Sequence, residues 1–400
     1  MKKIKILELF AGAGGSSTGL SQVDGVDVVV ANEFDKYACD TYEHNNDHIL
    51  IRGDLTKPDI KKEIIENSLE NNVNVLVGGI PCQSFSNAGN RDPFDIRGQL
   101  YKDYFDVLDA IKPDVCVIEN VKGVISMYHF DDNIDDSIKK EIKEEIKGKK
   151  NSEIKKKYKK YMFKVIDKWV EMFKNRKYNV EYRILKASNY GAPQHRERMI
   201  MIASKLTDNK IIFPTQTHNE KGDNNMEKWV SVRDAIDDLK NIEENKEINH
   251  TFRKYDKKER DQLKDKSQLT STQIKIRDTP LNKSYSGYGE ANKKCHPDFP
   301  CNTVKENHGA VFIHYEKPRH MTVRELARLQ TFPDDIIFKC TKGQAYKQIG
   351  NAVPCILGKV IGMSIKKMFE LNQNKDYSKN ELWNEIINDL IKHLESLKKI

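Results

Sequence analysis

Over residues 1–125 short apolar runs alternate with segments of helical period, a rhythm that restricts the chain to an α/β architecture. The runs IKILELF (4–10), VDVVVANE (26–33), HILIRGD (48–54), VNVLVGG (73–79) and PDVCVIENV (113–121) read as strands. Between them GAGGSSTGL, FDKYACDTYEHN, PDIKKEIIENSLE and QLYKDYFDVLDAI read as helices. Strands joined by helical crossovers predict an open parallel sheet with ligands at the carboxyl ends of its strands. Two further strands, at 177–187 and 196–204, are expected to complete it.

Elsewhere the rhythm breaks. Residues 139–160 carry 11 Lys against 4 Glu, partly offset by Asp131, Asp132, Asp135 and Asp136 just before them. This segment is expected to be an inserted helical hairpin or mobile loop, after which YMFKVIDKWVEMF resumes an amphipathic period. From about 213 to 318 polar and turn-forming residues dominate, which suggests a second, smaller domain. TVRELARLQ (322–330) is helical, with Thr322 as N-cap and Glu325 placed for a capping box. PCILGKVIGMSIKKMFE (354–370) is another helix, and Leu382, Ile386, Leu390, Ile391, Leu394 and Leu397 give the tail an apolar helical face. The expected division is 1–212, with a charged insertion at about 126–160, then 213–318, a return to the first domain over 319–371, and a terminal helix over 372–400.

Composition narrows the classes. A chain of 400 residues suits two domains, and its net charge of +8 permits a polyanionic partner without requiring one. No apolar stretch approaches the roughly 20 residues of a membrane span and the start lacks a signal-peptide pattern, so a cytoplasmic protein without membrane contact is expected. The seven cysteines include no Cys-x-x-Cys pair, which argues against a disulfide framework or zinc ribbon. Cys295, His296, Cys301 and His308 fit no common zinc spacing, and no metal is expected.

Two loops carry chemistry. In LELFAGAGGSSTGL, Gly12, Gly14, Gly15 and Gly19 lie between strand and helix, where a backbone can approach a ligand. The sixth position from Gly12 is Ser17, not glycine, and no Gly-Lys-Ser/Thr follows, so a nucleoside cofactor without a phosphate chain fits better than a dinucleotide. Glu33 can accept from both ribose hydroxyls, Asp54 from an adenine amine, and Phe10 and Phe34 offer ring faces. In GGIPCQSFS (78–86), Cys82 sits in a small-residue loop at a strand end, a place that its ordinary reading as a small buried hydrophobe does not explain.

The order of LELFAGAGG, GGIPCQSFS, DIRGQLY (95–101), ENVKG (119–123), GAPQHRERMI (191–200), RHMTVRELARLQTFPDD (319–335) and GQAYKQIGNAVP (343–354) resembles that of the motifs of bacterial DNA (cytosine-5)-methyltransferases. The resemblance covers about residues 1–125, 178–204 and 319–365. It implies a Rossmann-like S-adenosylmethionine-dependent methyltransferase sheet with a smaller target recognition domain at 213–318. The implied reaction is methylation of cytosine C5 in a short double-stranded DNA sequence. Cys82 would attack C6 of a flipped-out base, Glu119 would bind or protonate N3, and Asn120 would fix that loop. Of Arg196 and Arg198, one would hold the cytosine O2 and the other the catalytic loop or a phosphate, with Gln194 as support. The methyl donor would contact Phe10, Gly12, Gly14, Gly15, Glu33, Phe34 and Asp54, joined by Leu100, Asn351 and Val353. Gln83, Ser86 and Arg97 would contact DNA from loop 83–98, and Arg277, Lys283 and Tyr285 from the smaller domain. The family implies a monomer and a protective role beside an independently acting restriction endonuclease, though a solitary enzyme is equally consistent. A tRNA cytosine-5 methyltransferase shares the Pro-Cys and Glu-Asn-Val elements, and a catalytically silent DNA-binding protein could keep the fold. Transfer to duplex DNA beside tRNA separates the first; intact Cys82, Glu119, Arg196 and Arg198 argue against the second.

Overall fold

The structure, a computed structural model, describes residues 3–81, 100–131, 134–146, 151–206, 210–257, 261, 294–306 and 312–373. The first half follows the predicted rhythm: β1 (Ile4–Leu9), α1 (Gly15–Leu20), β2 (Val26–Glu33), α2 (Lys36–Asn45), β3 (Ile49–Arg52), α3 (Pro58–Glu70), β4 (Val75–Gly79), α4 (Leu100–Ile111) and β5 (Val115–Val121). An arm follows, made of β6 (Tyr128–Phe130), α5 (Asp136–Ile146), α6 (Asn151–Tyr158) and β7 (Met162–Lys164). Then come α7 (Val165–Asn175), β8 (Asn179–Lys186), β9 (Gln194–His195), β10 (Glu197–Ser204), β11 (His218–Asn219), β12 (Glu227–Lys228), α8 (Val232–Ile236) and β13 (Cys301–Asn302). The chain closes with α9 (Val323–Leu329), α10 (Lys342–Asn351) and α11 (Cys355–Gln373).

The central sheet has seven strands in the order β3-β2-β1-β4-β5-β10-β8. The expectation of a wholly parallel sheet needs one correction, because β10 runs antiparallel to both of its neighbours. Only the short turn Ala187–Tyr190 and Gln194–His195 separate β8 from β10, too little chain for the crossover that a parallel pair needs. A second correction concerns YMFKVIDKWVEMF: Met162–Lys164 pairs with β6, and the helix starts only at Val165.

Period-2 alternation divides the sheet between two cores. Ile4, Ile6, Val28, Val75, Val77, Val117, Ile200 and Ile202 pack against α11. Leu7, Leu9, Leu76, Ile118, Met199 and Met201 face α3, α4 and α7. Helices α1 and α11 cross so closely that a Cβ on Gly19 would lie 1.9 Å from the Cys355 carbonyl oxygen, and one on Gly358 2.6 Å from that of Ser16. The run 342–372 is apolar and long enough for a membrane span, but it comprises α10 and α11, which are mostly buried inside the protein.

A third core joins Val232, Ile236, Cys301, Val304, Phe312 and Tyr315 to Met321, Leu326, Leu329, Phe338 and Ile349. Among the described residues, segments from both sides of position 318 share this interior, while α11 packs on the sheet. The capping box predicted at Thr322 and Glu325 is present at the start of α9.

Candidate active site

Strand order reverses between β1 and β4, and in open α/β sheets ligands bind beyond the carboxyl ends of the strands at such a point. The glycine-rich turn leaves β1 there and the Pro81-Cys82 loop leaves β4. Residues 82–99 lie outside the described residues, so Cys82, Gln83, Ser86 and Arg97 have no placement here, nor do Arg277, Lys283 and Tyr285. The stem of the cysteine loop is described. The Asn120 side chain donates to the Ile80 carbonyl at 3.0 Å while accepting from Val121 N–H at 2.8 Å, which ties the residue before Pro81 to the end of β5.

Glu119 lies opposite Gly79 on β4 and opposite Ile200 on β10. Arg198, two residues from Ile200, faces the same side of the sheet, and its Nε lies 2.7 Å from Glu119 Oε1. A Cβ on Gly79 would come within 3.5 Å of Glu119 Oε2, so the missing side chain leaves the carboxylate accessible from the cysteine side. A carboxylate and a guanidinium thus lie together at the root of the cysteine loop.

The two arginines, expected to divide between the cytosine O2 and the catalytic loop or a phosphate, lie in different surroundings. Arg196 is 1% exposed, and its guanidinium donates to the carbonyls of Val304 (2.8 Å), Gly350 (2.9 Å) and Asn351 (3.4 Å). It clamps backbone from two distant segments. The cause is local: β10 begins only at Glu197, so Arg196 lies in the turn beneath α10. Gln194 does support the motif, donating to Leu329 O and Gln330 Oε1 and accepting from Val304 N–H. Between them His195 is pushed down to about 3, by burial first and then by Lys186, which keeps its ring neutral.

At the glycine turn, Gly12 has φ 59° and a Cβ there would meet open space, as a ligand cradle requires. Phe10 takes the left-handed region as well, at φ 59°, a strained conformation for an aromatic residue at a strand end. Glu33 accepts from Gly12 N–H (2.8 Å), Phe34 N–H (2.9 Å) and Asp35 N–H (2.8 Å). Burial raises its pKa. With two backbone donors on Oε1 and one on Oε2, the carboxylate is held at the turn with acceptor capacity left on Oε2. Phe34 next to it is 68% exposed, an open ring face. Asp54 is exposed and accepts from Thr56 N–H. Gly14 caps α1 in the left-handed region at φ 86°. A Cβ on Gly15 would lie 2.4 Å from Val353 O, so its missing side chain lets the first and last motifs meet. Leu100 opens α4 half-buried, Asn351 is exposed at the end of α10, and Val353 is half-buried. The exposed ring, open turn and carboxylate suit an adenosyl group.

Two features escaped the sequence. Lys347 of α10 reaches Asp35, the N-cap of α2, at 2.8 Å and fastens the segment after Glu33 and Phe34 to the C-terminal part of the chain. Burial would raise Asp35, but the lysine and the helix N–H groups hold it below the usual carboxylate range. Beneath α1, Ser17 donates to buried Glu8, Tyr42 O–H lies 2.8 Å from Ser17 Oγ, and His48 Nδ1 lies 2.8 Å from that hydroxyl. Burial pushes Glu8 up to about 7. Pairs separated by 312 or 25 residues leave no local signal.

The strand order and the turn at its switch point define an S-adenosylmethionine-dependent methyltransferase fold of the α/β class. A crystal structure of a DNA modification methyltransferase encoded within an Escherichia coli prophage superposes with TM-score 0.62 at 23% identity, covering 92% of this chain and 99% of that one. The Entamoeba histolytica methyltransferase EhMeth gives 0.57 at 15%, with coverages of 92% and 99%. The family of C-5 cytosine-specific DNA methylases matches residues 4–145 and 151–367, and the chain belongs to that family. Type II methyltransferase M.NgoFVII of Neisseria gonorrhoeae is 29% identical over 380 residues, covering 93% of this chain and 89% of that protein. M1.HphI of Haemophilus parahaemolyticus is 30% identical over 370 residues, covering 90% and 86%. The protein is a DNA (cytosine-5)-methyltransferase with S-adenosylmethionine as methyl donor and DNA as substrate.

Proposed function

We propose that the protein methylates C5 of a flipped-out cytosine in a short duplex sequence through a covalent bond between Cys82 and C6, as the protective methylase of a restriction–modification system. The observation that carries this is the Glu119–Arg198 pair at the root of the cysteine loop, with Asn120 holding the stem at Ile80. C5 of cytosine is a poor nucleophile, and addition of a thiolate at C6 makes it electron-rich. Glu119 holds a proton at N3 as the ring gains electrons, and Arg198, held by Glu119, is within reach of O2 on the same base. Bound S-adenosylmethionine supplies the electrophilic methyl group. The C5 proton then leaves as a base takes it, and the electron pair expels Cys82 as thiolate. Gly12, Glu33, Phe34 and Asp54 would hold the adenosyl end, with Leu100, Asn351 and Val353 around it, and Lys347 positions this rim through Asp35. Residues 213–318 read the target bases. The stacked base must leave the duplex to meet the thiol, at a cost of a few kcal/mol.

The test uses purified protein, the methyl donor and unmethylated genomic DNA, with 5-methylcytosine sequenced at base resolution and tRNA as a parallel substrate. Methylation confined to one short motif is expected, and Cys82→Ala should lose it while still binding the donor. A duplex carrying 5-fluorocytosine in that motif should trap the wild type, because the adduct has no C5 proton to lose. Turnover by Cys82→Ala, or no trapped complex, would refute the covalent route; transfer to tRNA alone would refute the DNA assignment. Protection of the motif against an endonuclease that cuts it tests the biological role.

A further inference from the structure

We infer that the lysine-rich arm between β6 and β7 is a second DNA contact, holding backbone phosphates beside the catalytic edge without reading sequence; this rests on the duplex DNA reading above. The arm is a built unit. Phe130, Ile134, Ile142 and Tyr158 form a small core of their own, with Ile138, Tyr161 and Met162 against it. Its root is the two-stranded ribbon of β6 and β7, closed by Asp131 N–H to Tyr161 O (2.9 Å) and Val165 N–H to Met127 O (3.1 Å).

Its place follows from topology. β5 ends at Val121, two residues past Glu119, and only the turn Lys122–Ser126 separates it from the ribbon. The arm therefore leaves the sheet at the carboxyl edge, the edge from which the cysteine loop also rises, where a duplex must lie for a base to reach Glu119. Lys122 is tied there to Glu197 of the catalytic motif at 2.9 Å.

The charge on the arm is not internally neutralised. Of the four glutamates in residues 139–160, Glu145 accepts from Tyr158 O–H and Lys157 (2.7 Å), and Glu141 lies 3.8 Å from that same lysine. Lys139 pairs with Asp136 at 3.3 Å as well, yet residues 131–160 carry 11 lysines against eight carboxylates, so a net positive charge remains. Lys140, Lys156, Lys159 and Lys160 are exposed. Exposed ammonium groups on flexible stems suit phosphate as point charges and carry no base code.

The experiment compares the full-length protein with a variant carrying Lys140→Gln, Lys156→Gln, Lys159→Gln and Lys160→Gln, in affinity for a duplex holding the methylated motif and for a random duplex, across a salt series. Removing one lysine–phosphate pairing lowers the slope of log affinity against log salt by about 0.9, so removing four lowers it by up to about 3.6. The expected result is a shallower slope and an equal fall in affinity on both duplexes, with donor binding and low-salt turnover kept. An unchanged slope on both overturns the inference and leaves the arm a protein-facing surface or a solvated one; a fall confined to the motif overturns it as well, since phosphate pairing is blind to sequence. A shallower slope in a protein that transfers no methyl group would refute the proposed function while leaving the arm's role intact.

Discussion

Substituting Arg196 separates a buried clamp from a base contact. Its guanidinium reaches carbonyls on two segments, Val304 on one and Gly350 with Asn351 on the other. Hydrogen bonds from a charged donor contribute about 1.5–3 kcal/mol each. Arg196→Lys keeps the charge, but an ammonium cannot span carbonyls that the planar fork bridges, so at least one bond goes and stability should fall by about 2–3 kcal/mol. Arg196→Met also leaves the acceptors buried without donors, at about 1–3 kcal/mol for each, much of the roughly 5–15 kcal/mol available to a domain. The lysine variant is therefore the informative one. Urea unfolding measures the stability, and steady-state kinetics the separate effects on KM and kcat. On the proposal that Asn351 and Val353 line the donor site, KM for the donor should rise severalfold while kcat at saturation changes little, and excess donor should restore part of the stability. Arg198→Lys should do the reverse, lowering kcat with stability kept. Unchanged stability and donor KM for Arg196→Lys, with kcat down a hundredfold, would refute the clamp and return Arg196 to the base.

Two further outcomes follow from the interior. Glu8 has a folded pKa raised from 4.5 to about 7, so the folded state binds the proton more tightly; stability from this group is complete below pH 4.5 and is lost as pH rises to about 7. Relative to Glu8→Gln, the wild type should lose about 3 kcal/mol across that window and nothing beyond it, read from urea midpoints at each pH; a parallel pH dependence in both proteins would show that Glu8 titrates normally. Gly19→Ala should destabilise by about 2–3 kcal/mol, since the added carbon meets the Cys355 carbonyl and α1 must move off α11. An unchanged unfolding midpoint would mean that the two helices pack more loosely than described.

Local pattern was enough for the strand–helix order of the first half, because buried parallel strands write their apolar runs locally and amphipathic helices write their period. The family, in turn, was legible in the order of its seven motifs, which no single local pattern carries. How equivalent-looking parts are used was settled only in the folded molecule. Arg196 and Arg198 are both arginines two apart, yet the late start of β10 sends one under α10 and aims the other at Glu119. Gly12 and Gly15 share one turn, but only the crossing of α1 with the segment before α11 leaves open space at the first and a backbone carbonyl against the second. The reversed strand, the link from Asp35 to Lys347 and the burial that lifts Glu8 depend on groups far apart in the chain meeting in space. A local pattern of residue types cannot encode such meetings, because the distance that decides the interaction exists only after the chain has folded.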